Sequence, residues 1–283
     1  MTRFGRTYRL TIQDGDEEIV ITLPLTIEFN VSRSIMGTAN RMSLRIYNLG
    51  EQTRNRIFQD RFNPKEYKRI TLEAGYNELS IIFKGNIFTA TSFRVGNNII
   101  TEVDAMDGGF DTRSAQTSRT VQKGTTMRDV IKGLIGDFDN LSEGTVTEDD
   151  TELRRPVVLD GNTFHLLRKY SNDKVFVDLE EVNVLNDNDV VVGVLPTITS
   201  DTGLLGTPKR EDAYLSVETL FRPEIIMGQL LDIRSQVNTA YDGQYKVIGL
   251  THSGTISDAQ SGRCQSKFDL LIGSQLFGEF NQL

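Results

Sequence analysis

The stretch IVITLPLTIEFNV, residues 19–31, decides the fold class of this 283-residue chain. Apolar side chains occupy every odd position, and polar side chains such as Thr22, Thr26 and Glu28 occupy most of the even ones. This alternation is typical of a β-strand with one buried face. At 13 residues the run is longer than the usual strand of ~5–6, and Pro24 has no amide hydrogen to donate to a sheet. We therefore predict a break, bend or sheet edge at Pro24.

The segments around this run predict an antiparallel β domain. YRLTI precedes it and is joined to it through Asp14-Gly15, a frequent hairpin signal. Further alternating segments follow in the order RITLEAGY, LSIIFKGNIFTATSFRV and IITEVDAM, with glycine- and asparagine-rich turns between them. Short strands linked by such turns are typical of barrels and sandwiches. We predict an N-terminal β-barrel domain over residues 1–110.

A smaller α+β domain is predicted over residues 111–203. KGTTMRDVIKGLI has helical spacing with Thr125 or Thr126 as its cap, and NTFHLLRKYS predicts a second helix capped by Asn162. The alternating segment KVFVDLEEVNVLN that follows is typical of a β-hairpin. Between the helices lies DFDNLSEGTVTEDDTE, residues 137–152, with seven acidic and no basic side chains. We interpret it as a solvated loop.

The charge distribution argues against nucleic-acid binding. The net charge is −8, and residues 111–203 contribute 17 acidic against 10 basic side chains. Affinity for nucleic acid comes mainly from basic contacts to phosphate, and the sequence shows no basic stripe. DNA could pass such a protein without being held by it.

Residues 204–283 return to β structure. Their alternating segments are YLSVETLF, GQLLDIRS, GQYKVIGLTHSG and QSKFDLLIG. Laid against residues 70–109, they repeat a strand, a strand entered through a glycine (KGNIFTA and DGQYKVIG) and a closing strand. This echo indicates an internal duplication. The predicted fold is therefore mainly β: two related antiparallel β-barrel domains, the second over residues 204–283, with the smaller α+β domain between them.

Few side chains are available for chemistry, since the chain has two histidines, one cysteine and no tryptophan. We predict that His165 packs partly buried in its helix, that His252 makes a turn hydrogen bond at a strand end, and that Cys264 faces a core. The sequence contains no nucleophile, zinc, calcium-loop or phosphate-loop motif. We therefore predict no catalytic residue, metal site or cofactor, although a carboxylate pair of the glycosidase kind stays open.

The sequence favours a protein made in the cytoplasm. No apolar run reaches the ~18 residues that span a bilayer, and no apolar segment follows the charged N-terminus as in a secretory signal. The single cysteine is compatible with a reducing compartment. We expect no membrane span.

The segment NRMSLRIYNLGEQTRNRIF, followed by ITLEAGY and IIFKGNI, resembles the N-terminal domain of the baseplate hub proteins of tailed bacteriophages, relatives of the late-control D proteins. In that family a strand ends in YNL, a short helix opens with a TR pair, and the next strands carry AGY and F-x-G-x-I. The matching residues are Tyr47, Asn48, Leu49, Thr53, Arg54, Ala74, Gly75, Tyr76, Phe83, Gly85 and Ile87. The candidates for structural or interface roles are Tyr47, Asn48, Leu49, Thr53, Arg54, Gly75, Tyr76 and Gly85.

The C-terminal part resembles the same family. LFRPEIIMGQLLDIRS and DGQYKVIGLTHSGT are similar to its proline-containing loop and the two strands after it, and KGTTMRDVIKGLI is similar to its helical insert. The matching C-terminal residues are Pro223, Gly228, Gly243, Tyr245, Val247, His252 and Gly254. The resemblance therefore extends over nearly the whole chain.

The resemblance implies a structural hub of a phage tail baseplate, located in the virion, and not an enzyme. It implies a homotrimer in which two barrels per chain place six barrels around a DNA channel. Such a ring joins the six-fold tail tube protein to the three-fold central spike protein, with other baseplate proteins as further partners. The joint at Asn48 would end a strand so that the short helix covers a barrel edge at a subunit boundary.

Two other functions stay open. One is a tail-associated enzyme that degrades the cell wall, which would need a carboxylate pair that nothing in the sequence singles out. The other is a carbohydrate- or receptor-binding β module. Sugar binding favours exposed aromatic side chains, yet tryptophan is absent and most phenylalanines and tyrosines lie in strand patterns.

Overall fold

The computed structural model describes residues 5–36, 39–62, 67–147, 150–191, 193–212, 214–258, 262–271 and 281–282. Strands predominate among these residues, and most of them pair antiparallel. The mainly β fold class expected from the sequence is confirmed.

The N-terminal part contains the expected strands and the short joint helix. They are β1 (Thr7–Asp14), β2 (Glu17–Thr22), β3 (Ile27–Ser34), β4 (Arg41–Tyr47), α1 (Glu51–Ile57), β5 (Arg69–Gly75), β6 (Leu79–Val95) and β7 (Asn98–Met106). The long alternating run is divided between β2 and β3, with Pro24 in the turn, as predicted. The odd-numbered apolar side chains of both strands are buried, which confirms the alternation.

The middle part contains both expected helices and the expected hairpin. Its elements are α2 (Asp111–Ser114), β8 (Gln116–Val121), α3 (Met127–Ile135), β9 (Ser142–Val146), β10 (Val157–Asn162), α4 (Thr163–Tyr170), β11 (Val175–Asp178), β12 (Glu181–Val184), β13 (Asp189–Val190) and β14 (Thr197–Ile198). Thr126 caps α3 by accepting a hydrogen bond from the Asp129 amide at 3.1 Å. Asn162 caps α4 by accepting one from the His165 amide at 3.0 Å.

The interpretation of the acidic stretch as a solvated loop is wrong in part. It contains β9, which pairs parallel with β12, and Phe138 and Leu141 are buried. Asp137 accepts a hydrogen bond from Arg119 Nη1 at 2.8 Å. Residues 148–149 of the stretch lie outside the described part. The many acidic side chains concealed the few apolar positions that anchor this segment.

The C-terminal part contains the expected strands. They are β15 (Leu204–Arg210), β16 (Tyr214–Leu220), β17 (Leu230–Ile233), β18 (Gly243–Ile256), β19 (Cys264–Leu271) and β20 (Asn281–Gln282). A short 3₁₀ helix, Thr239–Tyr241, precedes β18. The last strand, β20, pairs parallel with β13 of the middle part.

Strands from both ends of the chain share one sheet. Its order is β15-β16-β19-β18-β3-β4-β7-β6-β5-β1-β2, with β17 paired to β18 and β14 paired to β17. The two halves meet where residues 249–256 of β18 pair antiparallel with β3. Within the described residues no closed barrel is found. The sheet is continuous because β3 pairs with β18 and not with β2, and local sequence patterns do not reveal so distant a pairing.

The C-terminal strands repeat the pairing of the N-terminal strands. We call β3 to β7 the N-unit and β15 to β19 the C-unit. The orders β3-β4-β7-β6-β5 and β15-β16-β19-β18-β17 match strand by strand. The ladder between β6 and β7 skips one residue between Ile87 and Thr89, and that between β18 and β19 does so between Val247 and Gly249. Equivalent residues of β6 and β18 are therefore 160 positions apart (247 minus 87).

Backbone hydrogen bonds outside the ladders recur at equivalent positions of the two units. The corresponding bonds are Ile87 N to Lys68 O (2.8 Å) with Val247 N to Gln229 O (2.9 Å), and Tyr47 N to Thr26 O (3.0 Å) with Leu220 N to Gly203 O (2.8 Å). The sequence echo is thus present in the structure, although the two glycines that suggested it are not equivalent. In this register Tyr245, and not Gly243, corresponds to Gly85.

Three hydrophobic cores lie along the chain. The first is built from β1 to β7 and α1, with Phe221, Ile256 and Cys264 contributed by the C-terminal part. The second is built mainly from the C-unit, and the third from α3, α4 and the strands of the middle part. Cys264 is buried in the first core, as predicted.

A search of the described residues for membrane-crossing helices found none of sufficient length and hydrophobicity.

Replacing the cap of α3, Thr126→Ala, should lower the free energy of unfolding by about 1 kcal/mol, because the Asp129 amide loses its acceptor. Urea denaturation followed by circular dichroism measures the change. Thr125→Ala, next to the cap, is the control and should have a smaller effect. Equal losses in the two variants would contradict the assignment of Thr126 as the cap.

Candidate assembly site

The joint after β4 is held by Asn48. Its backbone is left-handed, with φ of 57°, a conformation that asparagine tolerates better than most residues. The Asn48 amide donates to the Ile99 carbonyl at 2.7 Å, and Asn48 Oδ1 accepts from the Ile99 amide at 3.0 Å. Tyr47, just before it, donates its hydroxyl to Glu28 at 2.8 Å. The end of β4 is therefore tied to the start of β7 and to β3.

The helix after this joint packs on the first core and covers part of a strand edge. Leu49 and Ile57 are buried in that core. Arg54 Nη1 donates to the Leu49 carbonyl at 3.2 Å. After the helix, Gln59 exchanges two backbone hydrogen bonds of 3.0 Å with Ala90 on β6. The joint therefore covers the edge of β6 at Ala90, just before the last residues of that strand.

The structure brings some of the sequence candidates together and separates others. Tyr47, Asn48, Leu49, Thr53 and Arg54 belong to the joint and its helix. The remaining candidates lie on β5, on β6 and in the turn between them, and they are Gly75, Tyr76 and Gly85.

The two glycines and the tyrosine have packing roles within this chain. A Cβ at Gly75 would lie 1.9 Å from the Glu78 carbonyl oxygen, and one at Gly85 would lie 2.4 Å from the Met106 carbonyl oxygen. Only glycine fits so close to a neighbouring backbone. Tyr76 packs on the first core. An interface role for the candidates stays a prediction.

A buried ionic cluster, formed by Arg33, Asn40, Asp107 and Asp178, joins the N-unit to the middle part. Arg33 of β3, 2% exposed, donates from Nε and Nη2 to the two carboxylate oxygens of Asp178 at 2.7 and 2.5 Å. Asn40 Nδ2 donates to Asp178 Oδ1 at 3.0 Å and to the Val177 carbonyl at 3.0 Å. Buried charges are tolerated only with such complete pairing.

Asp107, at the end of β7, holds the turn between β11 and β12. Its carboxylate accepts hydrogen bonds from the amides of Leu179 at 2.7 Å and Glu180 at 3.0 Å. Burial raises the pKa of Asp107 to about 7, and the Asp178 carboxylate also raises this pKa, whereas the two amides and Arg33 lower it. The cluster thus fastens the hairpin of the middle part to the ends of β3 and β7.

The sequence analysis missed the ionic cluster. One signal was present, since Arg33 continues the odd-numbered, buried face of β3. An arginine at such a position predicts a buried carboxylate partner. Sequence spacing could not identify Asp178, because it comes from a hairpin 145 residues away along the chain.

Both histidine predictions were wrong. His165 is exposed on α4. His252 is fully buried within β18, which continues past it to Ile256, and its Nδ1 lies 2.8 Å from Ser266 Oγ on β19. Burial lowers the pKa of His252 to about 3, and Arg33 lowers it as well. His252 is therefore neutral at physiological pH and serves as a core residue next to Phe221.

Lys246 of β18 is a further buried charge that connects two parts of the chain. Its Nζ donates to the carbonyls of Asn186 at 2.9 Å and Asp187 at 3.3 Å, just after β12. Burial lowers the pKa of Lys246 to about 8. It also lines a groove of about 1230 Å³ whose other charged residues carry both signs, among them Arg41, Lys174 and Asp173.

Metal-binding geometry was searched for in the described residues, and no group of three or more histidine, cysteine or carboxylate side chains has it. The groups with strongly shifted pKa values, Asp107, Lys246 and His252, instead hold one strand or turn against another.

The comparison with protein families identifies the chain. A family model described as baseplate hub gp41 matches residues 7–259. The chain belongs to the baseplate hub gp41 family. The resemblance to phage hub proteins seen in the sequence is thereby confirmed, and this hub-family protein is a component of a bacteriophage tail baseplate. No curated protein matches its sequence.

Solved tail proteins share the fold of this hub-family chain. The tail protein from Neisseria meningitidis MC58 has a TM-score of 0.64 and 9% identity, covering 95% of this chain and 97% of its own. The 43 kDa tail protein of prophage MuSo2 from Shewanella oneidensis has a TM-score of 0.63 and 10% identity, covering 93% and 96%.

A protein of a secretion system is similar as well. The E. coli c3393 protein, a component of the type VI secretion system with structural similarity to the T4 bacteriophage tail proteins gp27 and gp5, has a TM-score of 0.60. It is 11% identical, and the match covers 96% of this chain and 79% of that one. At these identities the likeness shows the fold alone.

Gly85→Ala should lower the free energy of unfolding by about 1–3 kcal/mol, because the new Cβ would meet the Met106 carbonyl. Urea denaturation measures it. Gly50→Ala is the matched control, since Gly50 has an ordinary φ of −59° and no atom within 4 Å of a Cβ. The hypothesis of close backbone approach fails if the two variants are equally stable.

Asp107 should make the wild-type protein more stable as the pH falls from 8 to 5. Its folded pKa of about 7 lies above the unfolded value of about 3.9, so between these values the folded chain holds a proton that the unfolded chain releases. The stability from this proton is complete below pH ~4 and is lost as the pH rises through about 7. Asp107→Asn removes this dependence.

The measurement is the free energy of unfolding of both proteins at several pH values, compared as a difference. The wild type should gain relative to Asp107→Asn as the pH falls, by at most about 1.4 kcal/mol per pH unit. Asp104→Asn, which removes an exposed carboxylate from the same strand, is the control. A constant difference between wild type and Asp107→Asn would show that Asp107 holds no proton in this range.

Proposed function

We propose that this baseplate component is the structural hub of the tail, a homotrimeric ring that joins the six-fold tail tube to the three-fold central spike. The observation that carries the proposal is the repeated unit, in which one chain of the hub family contains the same strand order and ladder irregularity twice. Three such chains present six similar units around one axis. The ring then matches six-fold symmetry on one face and three-fold symmetry on the other.

A ring of this kind needs a head-to-tail contact between unlike surfaces of neighbouring copies. The chain already contains one contact between unlike units, the ladder between β3 and β18. In the proposed ring, each C-unit meets the N-unit of the next copy in a comparable way, and the six units become barrel-like walls around a channel. An open sheet in a free chain and a closed wall in the assembly are then compatible.

The proposed domain division follows the three cores. Residues 1–110 form the N-terminal barrel domain, residues 111–203 the α+β domain and residues 204–283 the C-terminal barrel domain. The third core belongs to the middle domain, and the ionic cluster fastens that domain to the N-unit. The middle domain is then available on the outside of the ring for other baseplate proteins.

The proposed partners are the tail tube protein, the central spike protein, other baseplate proteins and further copies of this chain. DNA passes through the channel without specific binding, because a chain of net charge −8 provides a neutral or acidic wall. The role is structural and involves no catalysis, and assembly takes place in the host cytoplasm.

Electron cryomicroscopy of purified tails tests the proposal, with native mass spectrometry of the isolated chain as a complement. Three copies should form a ring between tube and spike, with a mass of about 95 kDa, three times 31.8 kDa. The proposal would be overturned by a position elsewhere in the particle, by another copy number, or by clearing of peptidoglycan suspensions with the purified protein.

A further inference from the structure

The contact between β3 and β18 inside the chain provides a template for a contact between chains. The first residues of β18 pair with β17, and residues 249–256, on the same edge, pair with β3. The opposite edge of β18 is occupied by β19. One edge of β18 is thus shared between a strand of its own unit and a strand of the neighbouring unit.

The N-unit equivalent of β18 is β6, and its corresponding edge is open. The first part of β6 pairs with β5, and Gln59 covers the edge at Ala90. Beyond that point, in the described part of the chain, residues 91–95 pair with β7 on one edge and have no strand on the other. These residues are exposed. By equivalence with β18, this open edge is where a strand of another unit belongs.

The C-unit equivalent of β3 is β15, which lies at the end of the sheet. It pairs with β16, and on its outer edge no further strand is described. The chain thus contains both halves of a second unit-to-unit ladder, one at each end, and each half lacks its counterpart. A strand edge left open in this way pairs readily with another chain.

We propose that β15 of one copy pairs antiparallel with residues 91–95 of β6 in the next copy, repeating the β3–β18 ladder between chains. This inference rests on the proposed ring. Because the two strands are different, the contact is head-to-tail, and three copies close it into a ring. It needs no new kind of interaction, only the ladder that the chain already uses once.

The template also fixes the register. Asn30 lies opposite Ser253 in the existing ladder. Lys209 corresponds to Asn30, because each pairs with the equivalent serine of the next strand, Ser216 and Ser43. Ser253 corresponds to residue 93, 160 positions earlier. Lys209 of one copy therefore lies opposite Phe93 of the next.

The side chains on the open edge support this pairing. Phe93 is 41% exposed and Val95 is 52% exposed, and a ladder with β15 would remove part of this apolar surface from water. The same register places Val95 opposite Leu205, which is half-buried in the single chain. Two apolar contacts of the open edge thus face the strand that the template assigns to them.

The irregular middle of β15 gives the contact specificity. Pairing with β16 shifts between Leu205 and Lys209, where Gly206 has φ of 72° and Pro208 lacks an amide hydrogen. Bulges, prolines and lysines at an edge discourage indiscriminate pairing. In the template register this bulge faces Arg94, so ladder pairs form on either side of it. A regular foreign strand would not match.

Cysteine cross-linking tests the proposal. The double variant Phe93→Cys with Lys209→Cys places two cysteines in each copy, with Cβ atoms of directly opposed residues about 4.5–5.5 Å apart across the contact. Both side chains are exposed, and the native Cys264 is buried. Tails carrying the variant are oxidised and run on a non-reducing gel. Covalent trimers are expected, since each copy donates one of each cysteine.

The single variants distinguish this contact from a symmetric one. Each alone should give no cross-link, and a mixture of the two should give dimers only. Lys209→Cys with Val158→Cys, an exposed apolar position on β10 of the middle part, is the matched control and should stay uncross-linked. A cross-link in Phe93→Cys alone, or none in the double variant, would overturn the proposed pairing.

A second variant removes any dependence on disulfide geometry. Val95→Asp should shift the protein from trimer to monomer in native mass spectrometry, whereas Val158→Asp should not. Thermal unfolding shows whether both variants are folded. A three-copy ring in the tail without cross-linking would refute the strand pairing and leave the hub function intact. A tail without such a ring would refute the hub function, and the pairing with it.

Discussion

Eight residue pairs of antiparallel ladder hold β3 against β18. Backbone amides and carbonyls at a buried edge need partners, and on this edge each strand obtains them from the other unit. Because β18 also pairs with β17 and β19, the whole C-unit is held in line with the N-unit. The chain therefore behaves as two successive segments of one repeated sheet, which is the geometry that a ring of repeated units requires.

The middle part is attached by charge and not by a ladder. Arg33 and Asp107 reach from the N-unit to the β11–β12 hairpin, and each finds its partners at hydrogen-bond distance. Removing one member of such a buried pair typically costs about 3–5 kcal/mol, because an unpaired charge is left behind. This attachment is directional, so the hairpin can dock in one orientation only. A structural component gains from such a joint, since its partners read its shape.

The buried titratable groups that might suggest chemistry all connect structural elements. His252 joins β18 to β19 through Ser266, and Lys246 joins β18 to the segment after β12. Asp107 joins β7 to a turn of the middle part. Their shifted pKa values arise mainly from burial at these connections. A perturbed pKa alone is therefore weak evidence for catalysis in this fold.

Local structure was readable from the sequence wherever one segment carried the whole signal. Alternation determined β2 and β3, the missing amide of Pro24 determined the break between them, and capping side chains determined the starts of α3 and α4. The tertiary structure decided which distant strands pair, that Arg33 meets Asp178, and that His252 is buried. Periodicity reports which face of a strand is apolar, but an edge carries no such mark, because every backbone offers the same hydrogen bonds. The choice of neighbour at each edge is made only when the whole chain packs.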